Sequence, residues 1–323
     1  MDSQELKRPH IVLIVRTILA ITVVASLPAV AWNFFGWLHL LLPVVPFIVL
    51  TTYGPYVGRR FVITGATFAL LVHILLGQAE LFVFTAILLL AGYVLYISYS
   101  HGSSPVVSGC ATACTLAGCW ILALIVLNWG NESAFYHEFT AVLQDGLNEA
   151  QKAYSSDQNI NQETRALLET AATQMQRVLP LFMPAIIGSG VLCLTWMNIV
   201  LANVFVFKKE GASRWPLYGQ WQLPDRLIWL AIALGISAAI PSATVRVIAI
   251  NGLLLISVVY CFQGLAIVSF FMKKWHIPSL LSALFYFMVI VQFFGHMTLL
   301  VLGVADVWFD IRKIKYAAES IQE

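Results

Sequence analysis

Nine long runs of apolar residues alternate with short polar connections along the chain. The runs cover approximately residues 11–27, 37–53, 59–76, 80–99, 105–128, 180–207, 226–241, 245–271 and 277–304. A helix needs about 20 predominantly apolar residues to cross the hydrocarbon core of a bilayer. The pattern therefore predicts an all-α, polytopic transmembrane helical bundle with eight or nine membrane segments. The second run contains Pro43 and Pro46 and the seventh is short, so either can be a broken or re-entrant helix.

Composition agrees with a membrane protein and excludes other classes. Hydrophobic residues make up 60% of the chain and charged residues 11%, whereas soluble domains are about half apolar and a quarter charged. The formal net charge is +2 and the basic residues form short clusters, so no surface for nucleic acid is expected. The sequence contains no Walker loop, Rossmann fingerprint, metalloprotease helix pair or serine-hydrolase elbow. We therefore expect no catalytic residues, no cofactor and no metal site.

A polar stretch divides the chain into two membrane halves. Residues 1–128 form an amino-terminal half of about five segments, 129–178 a polar, acidic helical hairpin, 179–304 the carboxyl-terminal half and 305–323 a polar tail. Acidic connections favour the outer side of a membrane, and Lys and Arg favour the cytoplasmic side. With nine crossings, one side collects these basic clusters: Lys7/Arg8, Arg59/Arg60, Lys208/Lys209 and Lys273/Lys274. This predicts a multi-pass inner (cytoplasmic) membrane protein with a cytoplasmic amino terminus. Arg312, Lys313 and Lys315 do not fit that scheme, so the side of the carboxyl terminus stays open.

An aromatic and basic segment, residues 208–225, follows the sixth run. Trp215, Tyr218 and Trp221 alternate there with cations and prolines, and Trp229 follows shortly after. Amphipathic rings and cations both settle at the headgroup level of a bilayer. The four aromatic residues are therefore predicted to lie at the membrane interface, in contact with the lipid bilayer.

Polar residues within apolar segments give the candidate ligand-binding residues, because they are rare and costly in a bilayer. Six of them lie towards the outer ends of their helices under the nine-crossing scheme and predict a small-molecule site beneath the hairpin: Asn33, His39, His73, Glu80, Asn128 and Arg246. Gln292 and His296 are four residues apart on one predicted helix face. The alternatives are contact with interfacial water for the first six and structural interhelical hydrogen bonding for the last two.

Three stretches carry a family resemblance: LLPVVPFIVLTTYGPYVGRR at 41–60, WQLPDRLIWL at 221–230 and LGVADVWFDIRK at 302–313. Together they resemble the YybS-like predicted membrane proteins of bacteria, grouped under domain of unknown function 2232. Asp225, Asp306, Asp310 and Arg312 match recurrent polar positions of that family.

The amino-terminal part of that family is similar to the substrate-binding S components of energy-coupling-factor vitamin transporters. The resemblance implies a solute-binding subunit that borrows an ATPase and a coupling protein. Two features depart from S components: the small residues Ala20, Ala25 and Ala29 are loosely spaced, and the chain after about residue 208 exceeds a six-helix subunit.

The expected function is a transport-type, small-molecule-binding subunit with no ATPase and no catalytic activity of its own. The alternative is a membrane scaffold or assembly factor that acts through other membrane proteins. An intramembrane enzyme ranks last, because the buried polar residues contain no recognisable pair of nucleophile and base.

Overall fold

A computed structural model describes residues 11–129, 134–156 and 161–314 of the chain, and within these ranges it contains helices and no strands. Lys7, Arg8 and Lys315, used above for the topology, lie outside the described residues. The first six helices are α1 (Ile11–Val30), α2 (Trp32–Phe35), α3 (Leu38–Leu41), α4 (Val44–Leu75), α5 (Ala79–Ser100) and α6 (Pro105–Leu127). The next three are α7 (Ala134–Ser156), α8 (Gln162–Val178) and α9 (Met183–Glu210). The last four are α10 (Leu227–Ala238), α11 (Ala243–Lys274), α12 (Ser279–Val291) and α13 (Phe293–Phe309).

Six helical stretches in the described ranges are long and apolar enough to cross a membrane. They are Ile11–Val30, Leu38–Leu75, Ala79–Ser100, Pro105–Leu127, Gln162–Glu210 and Ala243–Lys274. A seventh is possible if the bent pair Ser279–Val289 and Phe293–Phe309 makes one span. The described part of the chain is thus all-helical and has the several apolar helices of a multi-pass membrane protein. The count of eight or nine crossings stays a prediction.

Helix α4 is folded back at Gly54, where φ is 77° and ψ is 169°. Glycine adopts this conformation without the clash that a Cβ would introduce. The turn places the Tyr53 and Phe61 rings 5.1 Å apart, although eight residues of straight helix would separate them by about 12 Å. The apolar runs predicted at 37–53 and 59–76 are therefore two helical arms of α4, separated by a sharp reversal at Gly54.

Two predicted segments near the carboxyl end differ from single crossings. Helix α10 has 12 residues, a length of about 18 Å, which is short of the roughly 30 Å of a bilayer core. The run at 277–304 forms α12 and α13, bent by 101° relative to each other. Gln292 lies at the break with an extended backbone, so Gln292 and His296 do not share one uninterrupted helix as predicted.

The chain divides into two compact units. The first contains residues 11–120, 191–222 and 266–277. Its core holds Trp215, which is 1% exposed and stacks on Phe47, with ring centroids 6.1 Å apart. The Tyr99 ring meets Trp215 edge-on at 4.8 Å, and the indole N–H of Trp215 donates to the Ser103 carbonyl. Trp215 is therefore a packed core residue of this unit, and the location of the four aromatic residues at the membrane interface stays a prediction. Tyr218 and Trp221 are half-buried and Trp229 is exposed.

The second unit contains the described residues of 121–190, 223–265 and 278–314. The backbones of α11 and α13 pack closely against each other there. A Cβ added to Gly303 would overlap the Tyr260 carbonyl oxygen, and a Cβ added to Gly264 would overlap the Leu299 carbonyl oxygen. In the polar stretch, α7 and α8 pack against each other along a cleft of about 290 Å³. Residues 157–160, between α7 and α8 in the sequence, lie outside the described residues. The outer location of this pair of helices stays a prediction.

Candidate functional site

His39 is the first of two buried histidines in the first unit. It lies on α3, is 8% exposed, and its Nε2 is 3.0 Å from the hydroxyl oxygen of Thr85 on α5. The Thr85 hydroxyl donates its proton to the Leu81 carbonyl at 3.2 Å, so its oxygen accepts from His39. Nε2 of His39 therefore carries a proton. In the neutral ring Nδ1 is then a lone-pair acceptor, and no described residue forms a hydrogen bond with it.

His73 is the second buried histidine and lies in the last turn of α4. Its side chain is fully buried, and its Nδ1 is 2.7 Å from the Ala69 carbonyl oxygen. A carbonyl oxygen can only accept, so Nδ1 carries the proton. In the neutral ring Nε2 is the acceptor, and it too has no hydrogen-bond partner within the described ranges.

Helix α5 holds both imidazoles on neighbouring turns. The Phe82 ring meets His73 edge-on at 5.4 Å between centroids, and Thr85, three residues later, bonds His39. Three residues of α-helix rise about 4.5 Å. Trp32 covers His39 from α2, with centroids 5.4 Å apart. His39 and His73, called the His39–His73 pair below, thus both contact α5, and each keeps one buried ring nitrogen without a hydrogen-bond partner in the described ranges.

The other predicted site residues differ from this pair. Asn33, Glu80, Arg246 and Gln292 are exposed. The Asn128 amide donates to the Leu124 carbonyl of its own helix, and Nδ1 of the exposed His296 contacts the Gln292 carbonyl. The convergence of all eight residues on one site stays a prediction. Thr85 could not be predicted as a site residue from the sequence. A threonine in an apolar helix ordinarily donates a hydrogen bond to the backbone of its own helix, so its presence does not indicate a binding site.

A second polar cluster lies in the second unit. Arg312 Nη2 is 2.7 Å from Oδ2 of Asp306, and both side chains are essentially fully buried. The Gln263 amide donates to the same carboxylate oxygen at 2.8 Å, and its own oxygen accepts from the Leu223 backbone N–H. Asp310, in the left-handed conformation at φ 39°, ends α13 and lets the chain turn back towards Asp306. The cluster thus joins the stretches 221–230 and 302–313 through α11.

The chemistry available at the His39–His73 pair is that of two hydrogen-bond acceptors. Across the described parts of the chain, no three or more His, Cys, Asp or Glu side chains are grouped as a metal site would require. A lone pair at Nδ1 of His39 or at Nε2 of His73 suits a group that carries an N–H or O–H donor.

Comparison with known proteins gives one match. The model of a family described as "Predicted membrane protein (DUF2232)" matches residues 18–307. No curated protein and no solved structure matches the chain. The matched stretch includes His39, His73 and Asp306.

Proposed function

The chain belongs to the DUF2232 family of predicted membrane proteins, and from this premise we propose that it is a solute-binding subunit of a transport system. The His39–His73 pair is its binding site. The solute is a small molecule with amine or hydroxyl donors. The chain has no catalytic activity of its own and relies on an ATPase and coupling protein supplied by other chains.

The observation that carries this proposal is the pair of buried acceptor nitrogens. A buried polar group without a hydrogen bond costs about 1–3 kcal/mol. Most buried polar groups in folded proteins are satisfied, and the exceptions call for an explanation. Their side chains contact α5 at Phe82 and Thr85, about one helical turn apart, and a ligand that donates to both nitrogens would satisfy them.

A ligand can reach the site if the short helices that cover it move. Trp32 lies on α2 and His39 on α3, each of four residues. Such short helices have few internal hydrogen bonds, and segments of this kind open at low free-energy cost. Movement of α2 and α3 would expose the pair without unfolding α4 or α5.

A ligand screen on the purified protein tests the proposal. Thermal unfolding in mild detergent is measured with panels of small amines, polyols and carboxylates. Amines or polyols are expected to raise the midpoint, and carboxylates, which have acceptors only, are not. Stabilisation by carboxylates alone would contradict the proposal.

Substitutions at His73 then locate the site. His73→Phe removes the acceptor and should weaken binding roughly 5- to 150-fold, the equivalent of about 1–3 kcal/mol. His73→Gln keeps an acceptor near the position of Nε2 and should restore part of the affinity. His101→Phe is the matched control, because Nδ1 of His101 also contacts the carbonyl four residues earlier, at 2.8 Å, but the side chain is exposed. Equal loss in His73→Phe and His101→Phe would argue against this site.

A scaffold function is the second candidate, and the cleft between α7 and α8 favours it. Its apolar lining includes Leu147, Ala150, Leu168 and Met175. We propose that this pair of helices lies on the outer side and presents the cleft to another membrane protein. Recovery of the same protein partner with wild type but not with Leu168→Asp, and no ATPase in either sample, would favour the scaffold over the transporter.

A further inference from the structure

A groove of about 290 Å³ opens in the first unit where α9 and α11 end. Its lining comes from α9, from the segment that follows it and from the last turn of α11. It is separate from the His39–His73 pair and shares no residue with it. The groove combines positive charge, apolar wall and one unsatisfied amide oxygen, and each of these points to the same ligand.

Two lysines supply the charge. Lys208 and Lys273 both line the groove, both are exposed, and neither forms an ion pair with a described residue. Their neighbours are engaged elsewhere: Lys209 donates to the Thr51 carbonyl at 3.2 Å, and the Lys274 ammonium lies 5.8 Å from the centre of the Phe271 ring. Two ammonium groups at one opening favour an anion, and basic pockets between membrane helices bind acidic lipid headgroups.

The wall below the lysines is apolar. Val200, Val204 and Phe207 lie three or four residues apart on α9 and so share one helix face. Val204 is exposed, and Leu217 completes the wall from the opposite side. Because α9 belongs to a membrane-spanning stretch, this face continues into the region of lipid chains. The anion that fits is therefore attached to an acyl chain.

Asn203 adds a polar contact to the groove. It is 3% exposed, and its amide N–H donates to the Pro216 carbonyl at 2.8 Å. Its Oδ1 is buried and accepts no hydrogen bond from any residue in the described ranges. A headgroup hydroxyl is a donor that would satisfy it.

We propose that this groove binds phosphatidylglycerol, an acidic phospholipid with a hydroxyl-bearing headgroup. Lys208 and Lys273 hold the phosphate, Asn203 accepts from a glycerol hydroxyl, and the first part of one acyl chain lies along Val200 and Val204. Basic pockets between membrane helices are known to hold acidic lipid headgroups. The lipid would fix the ends of α9 and α11 to each other.

The test is lipid binding to the delipidated full-length protein in a neutral detergent. Phosphatidylglycerol and phosphatidylcholine are titrated separately, and occupancy is read by native mass spectrometry. Phosphatidylglycerol should bind at one saturable site, and the Lys208→Ala/Lys273→Ala variant should lose roughly 30-fold in affinity, which converts to about 2 kcal/mol. Lys209→Ala/Lys274→Ala removes the same net charge from adjacent positions and should bind within about threefold of wild type.

Three outcomes of the titration would overturn the proposal. One is equal binding of the two lipids, another is equal loss in the two double variants, and the third is competition by soluble glycerol phosphate at the same concentration as the lipid. Photo-cross-linking needs no variant and gives a second readout. A diazirine-bearing phosphatidylglycerol should label residues 200–207 and 217–218 of the wild type, and labelling confined to other segments would equally overturn the assignment.

Discussion

The buried ion pair of the second unit gives the sharpest stability prediction. Asp306 and Arg312 meet at 2.7 Å with side-chain exposures of 1% and 0%. Removing one partner of such a pair leaves an uncompensated buried charge and costs about 3–5 kcal/mol, whereas an exposed pair contributes about 0–1 kcal/mol. Arg312→Met should therefore cost about 3–5 kcal/mol, because Gln263 alone would be left to hydrogen-bond the carboxylate oxygen that Arg312 now contacts.

A double-mutant cycle separates the charge from simple loss of packing. Asp306→Leu should also destabilise the protein, because the buried Arg312 guanidinium loses the carboxylate that lies 2.7 Å from it. The Asp306→Leu/Arg312→Met variant has neither charge of this pair, and apolar replacements of a buried pair are often nearly neutral. Its unfolding midpoint should therefore lie closer to that of the wild type than the midpoint of either single variant does.

Thermal unfolding in detergent, followed by tryptophan fluorescence, measures all four proteins. In domains of about 150–250 residues 1 kcal/mol corresponds to about 2–4 °C, and on that scale each single variant should lose roughly 6–20 °C. A loss below about 3 °C for Arg312→Met would show that the pair behaves like an exposed one. A double variant less stable than both single variants would refute the argument from uncompensated charge.

Two further predictions use the same unfolding assay. Gly303→Ala should cost at least about 1–3 kcal/mol, because its Cβ would overlap the Tyr260 carbonyl oxygen. Gly190→Ala is the control, since nothing lies within 4 Å of its Cβ, and helix propensity predicts a gain of up to about 1 kcal/mol. Trp215→Ala should cost about 3–5 kcal/mol because the ring is buried. Trp229→Ala, at a side chain that is 69% exposed, should change stability little, and similar losses at the two tryptophans would contradict the packing role.

The apolar runs were sufficient to predict helices, because length and composition decide whether a segment can cross a bilayer. They also separated the two arms of α4, since the Gly54–Pro55 pair interrupts the run. The role of Trp215 could not be predicted from its neighbours. Its setting of cations and prolines is typical of a membrane interface, and its burial depends on Phe47 and Tyr99, which are more than 100 residues away in sequence.

The sequence was sufficient to predict that His39 and His73 are candidate site residues, but not which residues they contact. His39 and His73 stood out because polar side chains are rare in apolar helices. Their positions relative to α5 depend on contacts with Thr85 and Phe82, and neither residue is distinguished in the sequence from other residues of an apolar helix. Glu80, the acidic residue nearest to His73 among the predicted set, is exposed, and His73 bonds Ala69 instead. The orientation of each ring, and so the chemistry it offers, became evident only from these partners.

The measurement that tests the central claim most directly is native mass spectrometry of the protein as extracted, comparing wild type, His73→Phe and His101→Phe. The wild type and His101→Phe should retain one small molecule with N–H or O–H donors, and His73→Phe should retain none. His73→Phe should also unfold at a temperature no lower than the ligand-free wild type, because the buried unsatisfied nitrogen is gone. A small molecule retained equally by all three proteins, or by none of them, would contradict the assignment of a solute site to the His39–His73 pair.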